Sequence, residues 1–324
     1  MKARTRHLAP GLSNTLLLLL LSGIVIAPGS VSSSDPQVLV YSKTLGWRHD
    51  SIPAGQEAIR QLGRAHGFRV DLTEDATRFT DSTLAGYGAI IFLNTTLDVL
   101  DTEGQVALMR YIQAGGGYVG IHSAADTEYD WPWYGQLVGA YFDGHPNNPN
   151  VREGIITVVD SSHSAPADLP GEWIRRDEWY DYRCVNPSVN VLLTVDEKSY
   201  KRPAEKPDSA PHPIAWYHEF DGGRAFYTGL GHTAASYSEP QFLQHLLGGI
   251  RYALGGNQKL NYLLPGVRPH LDRFRKVILE DNLNEPMELD VLPDGRILYV
   301  ERPGAIRIHD QSAGTTVVAG SLAV

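Results

Sequence analysis

Beyond residue 35 the apolar positions fall into short blocks separated by polar, helix-like segments. Residues 37–42, 88–94 and 118–121 are short, nearly continuous apolar runs of the kind buried inside parallel sheets, and 68–72 is a strand of similar length. Between the first two strands, Ala58, Ile59 and Leu62 recur at helical spacing after Pro53, and the pattern stops at Gly67. Asp101 reads as the N-cap of a second helix that runs to Ala114 and is halted by Gly115, Gly116 and Gly117. Strands alternating with helices at this spacing build βαβ units. The pattern predicts an α/β fold with a doubly wound parallel sheet covered on both faces.

After residue 130 the alternation loosens. Residues 154–160 and 190–195 read as further strands. Residues 213–220 and 224–229 flank Asp221-Gly222-Gly223, a strong hairpin signal. Pro203, Pro207, Pro211 and Pro213 mark an exposed loop. A helix from about Pro240 to Leu254 then closes a domain spanning 35–256. In the remaining stretch, 257–324, residues 291–300 and 304–309 are strand-like. Such a pair cannot bury a core alone, so this reads as the opening of an all-β module or a tail packed on the first domain.

The first 34 residues follow a different pattern. Lys2, Arg4 and Arg6 precede a Leu-rich apolar run, residues 16–26, and small residues follow to Ser34. This is the layout of a secretory signal peptide, and the run is shorter than the roughly 20 residues that span a bilayer. An uncleaved anchor is the alternative reading. With cleavage, the expectation is a periplasmic or secreted protein without stable membrane insertion. Losing those three basic and no acidic groups would move the formal charge from −9 to −12. An acidic chain lacks the clustered Lys and Arg that phosphate backbones require, which argues against nucleic acid and for a small, neutral or weakly charged substrate. Cys184 is the only cysteine, so neither an intramolecular disulfide nor a Cys-based zinc module can form, and a thiol mechanism at the strand ends is excluded.

In an open parallel sheet, ligands bind beyond the carboxyl ends of the strands. Those positions hold Lys43, Arg48 and His49 after the first strand, Asn94-Thr95-Thr96 after the third, His122-Ser123 and Asp126 after the fourth, and His232 after the hairpin. His145 lies in the irregular segment between. Residues 120–124 resemble a strand-to-helix elbow, with His122 in the nucleophile's place and Ser123 beside it. The four imidazoles of His49, His122, His145 and His232 could be general bases, ligands for a divalent metal, or hydrogen-bonded structural groups. Asp126, Asp143, Glu178 and Asp181 could orient them or complete a coordination shell. None of these residues shows the tight spacing of a helical metal motif. Tyr129, Trp131, Trp133 and Tyr134 form one aromatic cluster, and Trp173, Trp179, Tyr180 and Tyr182 another around Asp177-Glu178. They suit either the apolar faces of sugar rings or ordinary packing under long loops. The glycines from Gly115 to Gly120 stop a helix and open a strand rather than forming the strand-to-helix turn of a dinucleotide site, and no Gly-Lys-Ser/Thr motif is present, so nucleotide binding is not expected.

Several ordered motifs carry a resemblance. They are Lys43-Thr-Leu-Gly-Trp-Arg-His-Asp50, Gly115-Gly-Gly-Tyr-Val-Gly-Ile-His-Ser-Ala-Ala-Asp126, Gly144-His-Pro146, Asp177-Glu-Trp-Tyr180, His212-Pro-Ile-Ala-Trp216 and Gly223-Arg-Ala-Phe-Tyr-Thr-Gly-Leu-Gly-His232. Over about 37–254 the chain resembles the ThuA-like (trehalose utilisation) family. One departure is His163-Ser164, where the family commonly has His-Pro. The resemblance implies a flavodoxin-like, class I glutamine amidotransferase-like fold without that fold's cysteine nucleophile. It implies sugar catabolism through 3-keto glycosides rather than amidotransfer. Residues 274–310 are similar to the start of a glucose/sorbosone dehydrogenase propeller, a quinone-dependent fold; only a fragment is present, and no cofactor site is carried over.

Together these readings predict an exported hydrolase-, lyase- or isomerase-type enzyme working beside a sugar carbonyl. His122 and His232 would be acid and base, Asp126 and His145 would position them, and Lys43, Arg48, His49, Glu178, Tyr180 and Trp133 would bind the sugar. The competing expectation is a non-catalytic carbohydrate-binding domain that serves a fused sugar dehydrogenase.

Overall fold

The computed structural model describes residues 35–205, 207, 208, 210–256, 259–263 and 277–323. The leader-like segment lies outside the described residues, as does most of the link between the two halves. The chain divides into two compact units, Met1–Val267 and Arg268–Val324, where the sequence pattern put the division near 256. Among the described residues no helix is long and apolar enough to cross a membrane.

The larger unit is built on a nine-stranded sheet. Its first five strands in spatial order are β2 (Arg69–Thr73), β1 (Gln37–Tyr41), β3 (Ala89–Leu93), β4 (Gly117–Ile121) and β11 (Gly223–Thr228), all parallel. Side-chain alternation feeds two separate cores. Val38, Val40, Ile91 and Val119 pack on one face with α1 (Ile52–His66) and α6 (Pro240–Leu254); Leu39, Tyr41, Phe92 and Tyr118 pack on the other with α3 (Thr102–Gln113) and α4 (Pro132–Val138). This is the doubly wound arrangement, and it explains why β1, β3 and β4 lack a polar face. The terminators act as the sequence suggested. Gly67 caps α1 with φ 75°, a left-handed conformation that costs a side-chain-bearing residue more, and the Asp101 carboxylate accepts from the Gly104 N–H at the start of α3.

The sheet does not stay parallel. Beyond β11 it continues through β10 (His212–Phe220), β9 (Asn190–Asp196), β6 (Val151–Val158) and β7 (Glu172–Glu178), all antiparallel. The expected hairpin joins β10 to β11, and Asp221 and Gly222 both take positive φ as a type I′ turn requires. No sequence pattern had marked β7, because its exposed residues alternate with Trp173, Arg175 and Asp177, two of which are charged. A small ribbon, β5 (Tyr141–Gly144) paired with β8 (Asp181–Arg183), stands apart from the main sheet.

The smaller unit is a four-stranded antiparallel sheet: β12 (Pro286–Val291), β13 (Ile297–Glu301), β14 (Ala305–Asp310) and β15 (Thr315–Ser321). The apolar run 291–300 is not one strand. Pro293-Asp294-Gly295 breaks it, with Gly295 at φ 86°.

Candidate active site

His122 sits at the turn where β4 ends, with φ 49°. A positive φ on a residue with a side chain is strained, and here it turns the imidazole across the strand ends, as at a nucleophile elbow. The ring is fully buried. Its Nδ1 lies 2.8 Å from the Gly229 carbonyl, which can only accept, so Nδ1 carries the proton and Nε2 presents its lone pair in the neutral ring. That Nε2 faces His232 Nδ1 at 3.1 Å and Glu178 Oε2 at 3.3 Å. His232 Nδ1 is in turn 3.1 Å from the same Glu178 oxygen. The His49 ring stands edge-on to both other imidazoles, its centroid 4.9 Å from that of His122 and 5.0 Å from that of His232. Its Nδ1 lies 3.3 Å from Ser123 Oγ. Four donor atoms, one each from His49, His122, Glu178 and His232, fall within 4.8 Å of one another. These four residues are placed to hold a metal.

The Glu178 contact could not follow from strand order. β7 lies four strand spacings from β11, roughly 19 Å in a flat sheet. Glu178 nevertheless touches the loop after β11, so the antiparallel half of the sheet curls back over the strand ends. Asp177 holds the curl in place. Its fully buried carboxylate accepts backbone N–H bonds from Gly231 (2.9 Å) and His232 (3.1 Å), and Arg175 neutralises it at 3.1 Å. From the opposite side, Ser51 Oγ donates to the Gly231 carbonyl at 3.3 Å, and Asn94 Nδ2 donates to Ser51 Oγ at 2.8 Å.

Electrostatics follow from this packing. Burial raises the pKa of the Glu178 carboxyl, but the imidazoles of His122 and His232 facing it outweigh that and hold the group well below the usual carboxylate range. Burial would lower the His232 pKa, yet the Glu178 carboxylate reverses the sign and raises it. His49 has no such partner within hydrogen-bond reach. Burial and the two neighbouring imidazoles push it down to about 2, so it stays neutral. Burial raises Asp126, against the opposing hydrogen bond from the Tyr129 hydroxyl.

The cluster forms the floor of a cavity of about 430 Å³, within the range of small-molecule sites. His49, Glu178 and His232 reach it from below, and Asp126, His145 and Asn150 line its wall. Tyr180, Phe142 and the largely exposed Trp47 supply aromatic planes. Tyr180 packs on His122 (centroids 4.2 Å apart), on Phe142 (4.3 Å) and, nearly parallel, on His145 (6.1 Å). His145 Nε2 lies 3.6 Å from Glu178 Oε1, an oxygen that also accepts from Asn150 Nδ2 at 2.6 Å.

Of the residues expected at the site, His49, His122, Asp126, His145, Glu178, Tyr180 and His232 gather here. Lys43, Arg48 and Trp133 do not. Lys43 donates to the Val99 carbonyl at 3.2 Å, Arg48 forms an exposed ion pair with Glu74, and Trp133 bonds Asp221 and stacks on Trp131. Proximity to a strand end in sequence does not aim a long side chain at the crevice. His163 stacks on Tyr217 elsewhere, Asp143 faces Arg183, and Asp181 pairs with Lys201. Ser123 is buried against His49, out of reach as a nucleophile. Sequence reasoning missed Asn150, which carries no motif. It also missed the bracing role of Asp177, whose signal was its place beside Glu178.

Comparison with known proteins agrees with this architecture. A ThuA-like protein from Bacteroides uniformis superposes with a TM-score of 0.59 at 22% identity, covering 73% of this chain and 98% of its own. Another from Parabacteroides merdae gives 0.54 at 20% identity, covering 72% and 94%. Both likenesses concern the fold. No curated protein matches the sequence significantly. The family model for ThuA, described as trehalose utilisation, matches residues 37–253. On that match, which takes in His49, His122, His232 and Glu178, the chain belongs to the ThuA family, and its family points to a role in sugar catabolism.

Proposed function

We propose that this domain acts on an oxidised (3-keto) glycoside or disaccharide, cleaving or rearranging it by proton transfer next to the carbonyl. The observation that carries the reading is the cavity itself: buried imidazole and carboxylate groups form its floor, titratable His145 and Asp126 its wall, and aromatic planes its sides. Aromatic faces accept the C–H faces of a sugar ring, and the polar floor accepts its carbonyl.

The chemistry needs a base, an acid and a means of stabilising enolate charge. In a 3-keto glycoside the proton on C2 is acidified by the adjacent carbonyl. A base removes it, the electron pair forms the C1–C2 double bond, and the glycosidic oxygen leaves with a proton from an acid. His122 is too deeply buried to meet a substrate atom. The proton transfers therefore fall to His145, whose side chain is one-quarter exposed, and to Asp126, whose raised pKa favours holding a proton. His232 and Glu178 face the carbonyl side, with His122 packed behind them. Export rests on the charged and Leu-rich pattern of residues 2–26, and would put the activity in the periplasm or outside the cell.

The test is incubation of purified protein with 3-keto-disaccharides, with products followed by mass spectrometry. Product from the wild type and its loss in His145→Ala support the reading. Binding without turnover in both proteins would leave a non-catalytic carbohydrate-binding domain, which the aromatic wall also suits.

A further inference from the structure

His122 Nε2, His232 Nδ1 and Glu178 Oε2 form a nearly equilateral triangle with edges of 3.1, 3.1 and 3.3 Å. Hydrogen bonding alone serves this triangle poorly. The His122 proton is committed to the Gly229 carbonyl, so its Nε2 and the carboxylate oxygen are two acceptors facing each other. One N–H from His232 would have to serve both. A metal ion satisfies all three at once. For bonds of about 2.0–2.1 Å, two ligands of a tetrahedral ion sit about 3.3 Å apart, which is the spacing found here.

We infer that His122, His232 and Glu178 are the core ligands of a divalent transition-metal centre, with His49 as the fourth protein donor or the neighbour of the open position. Two imidazoles and a carboxylate are the donor set of catalytic zinc sites, and nitrogen-rich donors disfavour Mg²⁺ and Ca²⁺. The surrounding shell is built as metal sites require. His122 is oriented by its bond to the Gly229 carbonyl, His49 by Ser123, and Glu178 by Asn150 through its other oxygen. The backbone of His232 is clamped by Asp177. The second comparable group, Asp181, Glu197 and His212, differs. Lys201 Nζ already sits 2.9 Å from Asp181 and 3.1 Å from Glu197, supplying the cation itself. The floor of the cavity would thus offer a Lewis acid to the carbonyl of the substrate. That last step rests on the proposed function, whereas the centre stands on donor geometry alone.

The experiment uses the full, untagged chain, stripped with chelator and titrated with Zn²⁺, then with Co²⁺ as a spectroscopic probe. The expected result is one equivalent of zinc by elemental analysis and an intense visible Co²⁺ band from low coordination number. Glu178→Gln and His122→Ala should each weaken uptake at least tenfold, and Asn150→Ala by roughly 10–100-fold. His66→Ala and Cys184→Ser, which alter groups outside the cluster, should leave it unchanged. Circular dichroism of each variant separates ligand loss from unfolding; should His122→Ala not fold, Glu178→Gln carries the comparison. Zinc uptake that is equal in the wild type and a folded Glu178→Gln variant overturns the centre. Because this readout needs no sugar, stoichiometric zinc without keto-sugar turnover would uphold the centre and discard the substrate reading. Turnover by a protein that takes up no zinc would do the reverse.

Discussion

His122 and His232 stand 110 residues apart in the chain, yet their Nε2 and Nδ1 atoms meet at 3.1 Å. The approach is possible because β4 and β11 are adjacent parallel strands, with Ile121 in register with Thr228. Each histidine follows its strand end closely, so the sheet ladder itself sets the distance between the rings.

Asp177 should matter as much to stability as to the site. Asp177→Ala would remove the acceptor for two backbone N–H groups and leave Arg175, itself buried, with only the partly exposed Glu239 as an ion-pair partner. Breaking a buried ion pair in this way costs about 3–5 kcal/mol. Urea denaturation should show a loss of that order, whereas exposed Arg48→Ala should change stability by less than about 1 kcal/mol.

His145→Ala should lower kcat by roughly 10²–10⁴-fold on a keto-sugar substrate, the usual contribution of a positioned general acid or base. KM should move little, because Tyr180 and Phe142 still supply the apolar wall. A rise in KM with unchanged kcat would assign His145 to binding instead.

Glu205 offers a pH dependence away from the site. Arg152 holds its carboxyl down to about 2, through a bidentate pair that includes a 2.9 Å bond. A carboxylate with a depressed folded pKa contributes stability above its unfolded value, near 4.5, and loses it as pH falls toward 2. Wild type and Glu205→Gln should therefore differ most in urea midpoint above pH 5, and converge at acid pH.

Gly117 opens β4 where the backbone of α6 passes. A Cβ there would lie 2.0 Å from the Ala253 carbonyl oxygen, and backbone cannot step aside as a side chain can. Gly117→Ala should cost about 1–3 kcal/mol or more by forced displacement of α6, read as a lowered Tm. Gly86→Ala, whose nearest neighbour would be 3.5 Å away, is the control.

Much of this protein was legible from local pattern. The strands at 37–42, 88–94 and 118–121 announced themselves because both their faces are buried, and burial on two sides leaves an unbroken apolar run. The caps at Gly67 and Asp101, the turn at Asp221-Gly222, and the placing of His49, His122 and His232 at strand ends follow from backbone chemistry that each residue carries with it. β7 escaped because its inward residues include Arg175 and Asp177, a buried pair that looks like surface until the partners are seen together. Lys43, Arg48 and Trp133 misled for the opposite reason: position along the chain told where their Cα atoms lie, not which acceptor or ring captures a long side chain.

Sequence alone thus determined the α/β layering and the set of strand ends from which a site could be built, because these depend on periodicity and short-range turns. Only the tertiary structure decided that Glu178 belongs with the histidines. That contact requires four antiparallel strands to curl back over the parallel half, and curvature is a property of the packed sheet as a whole, held here by Asp177, which no local window of the chain records.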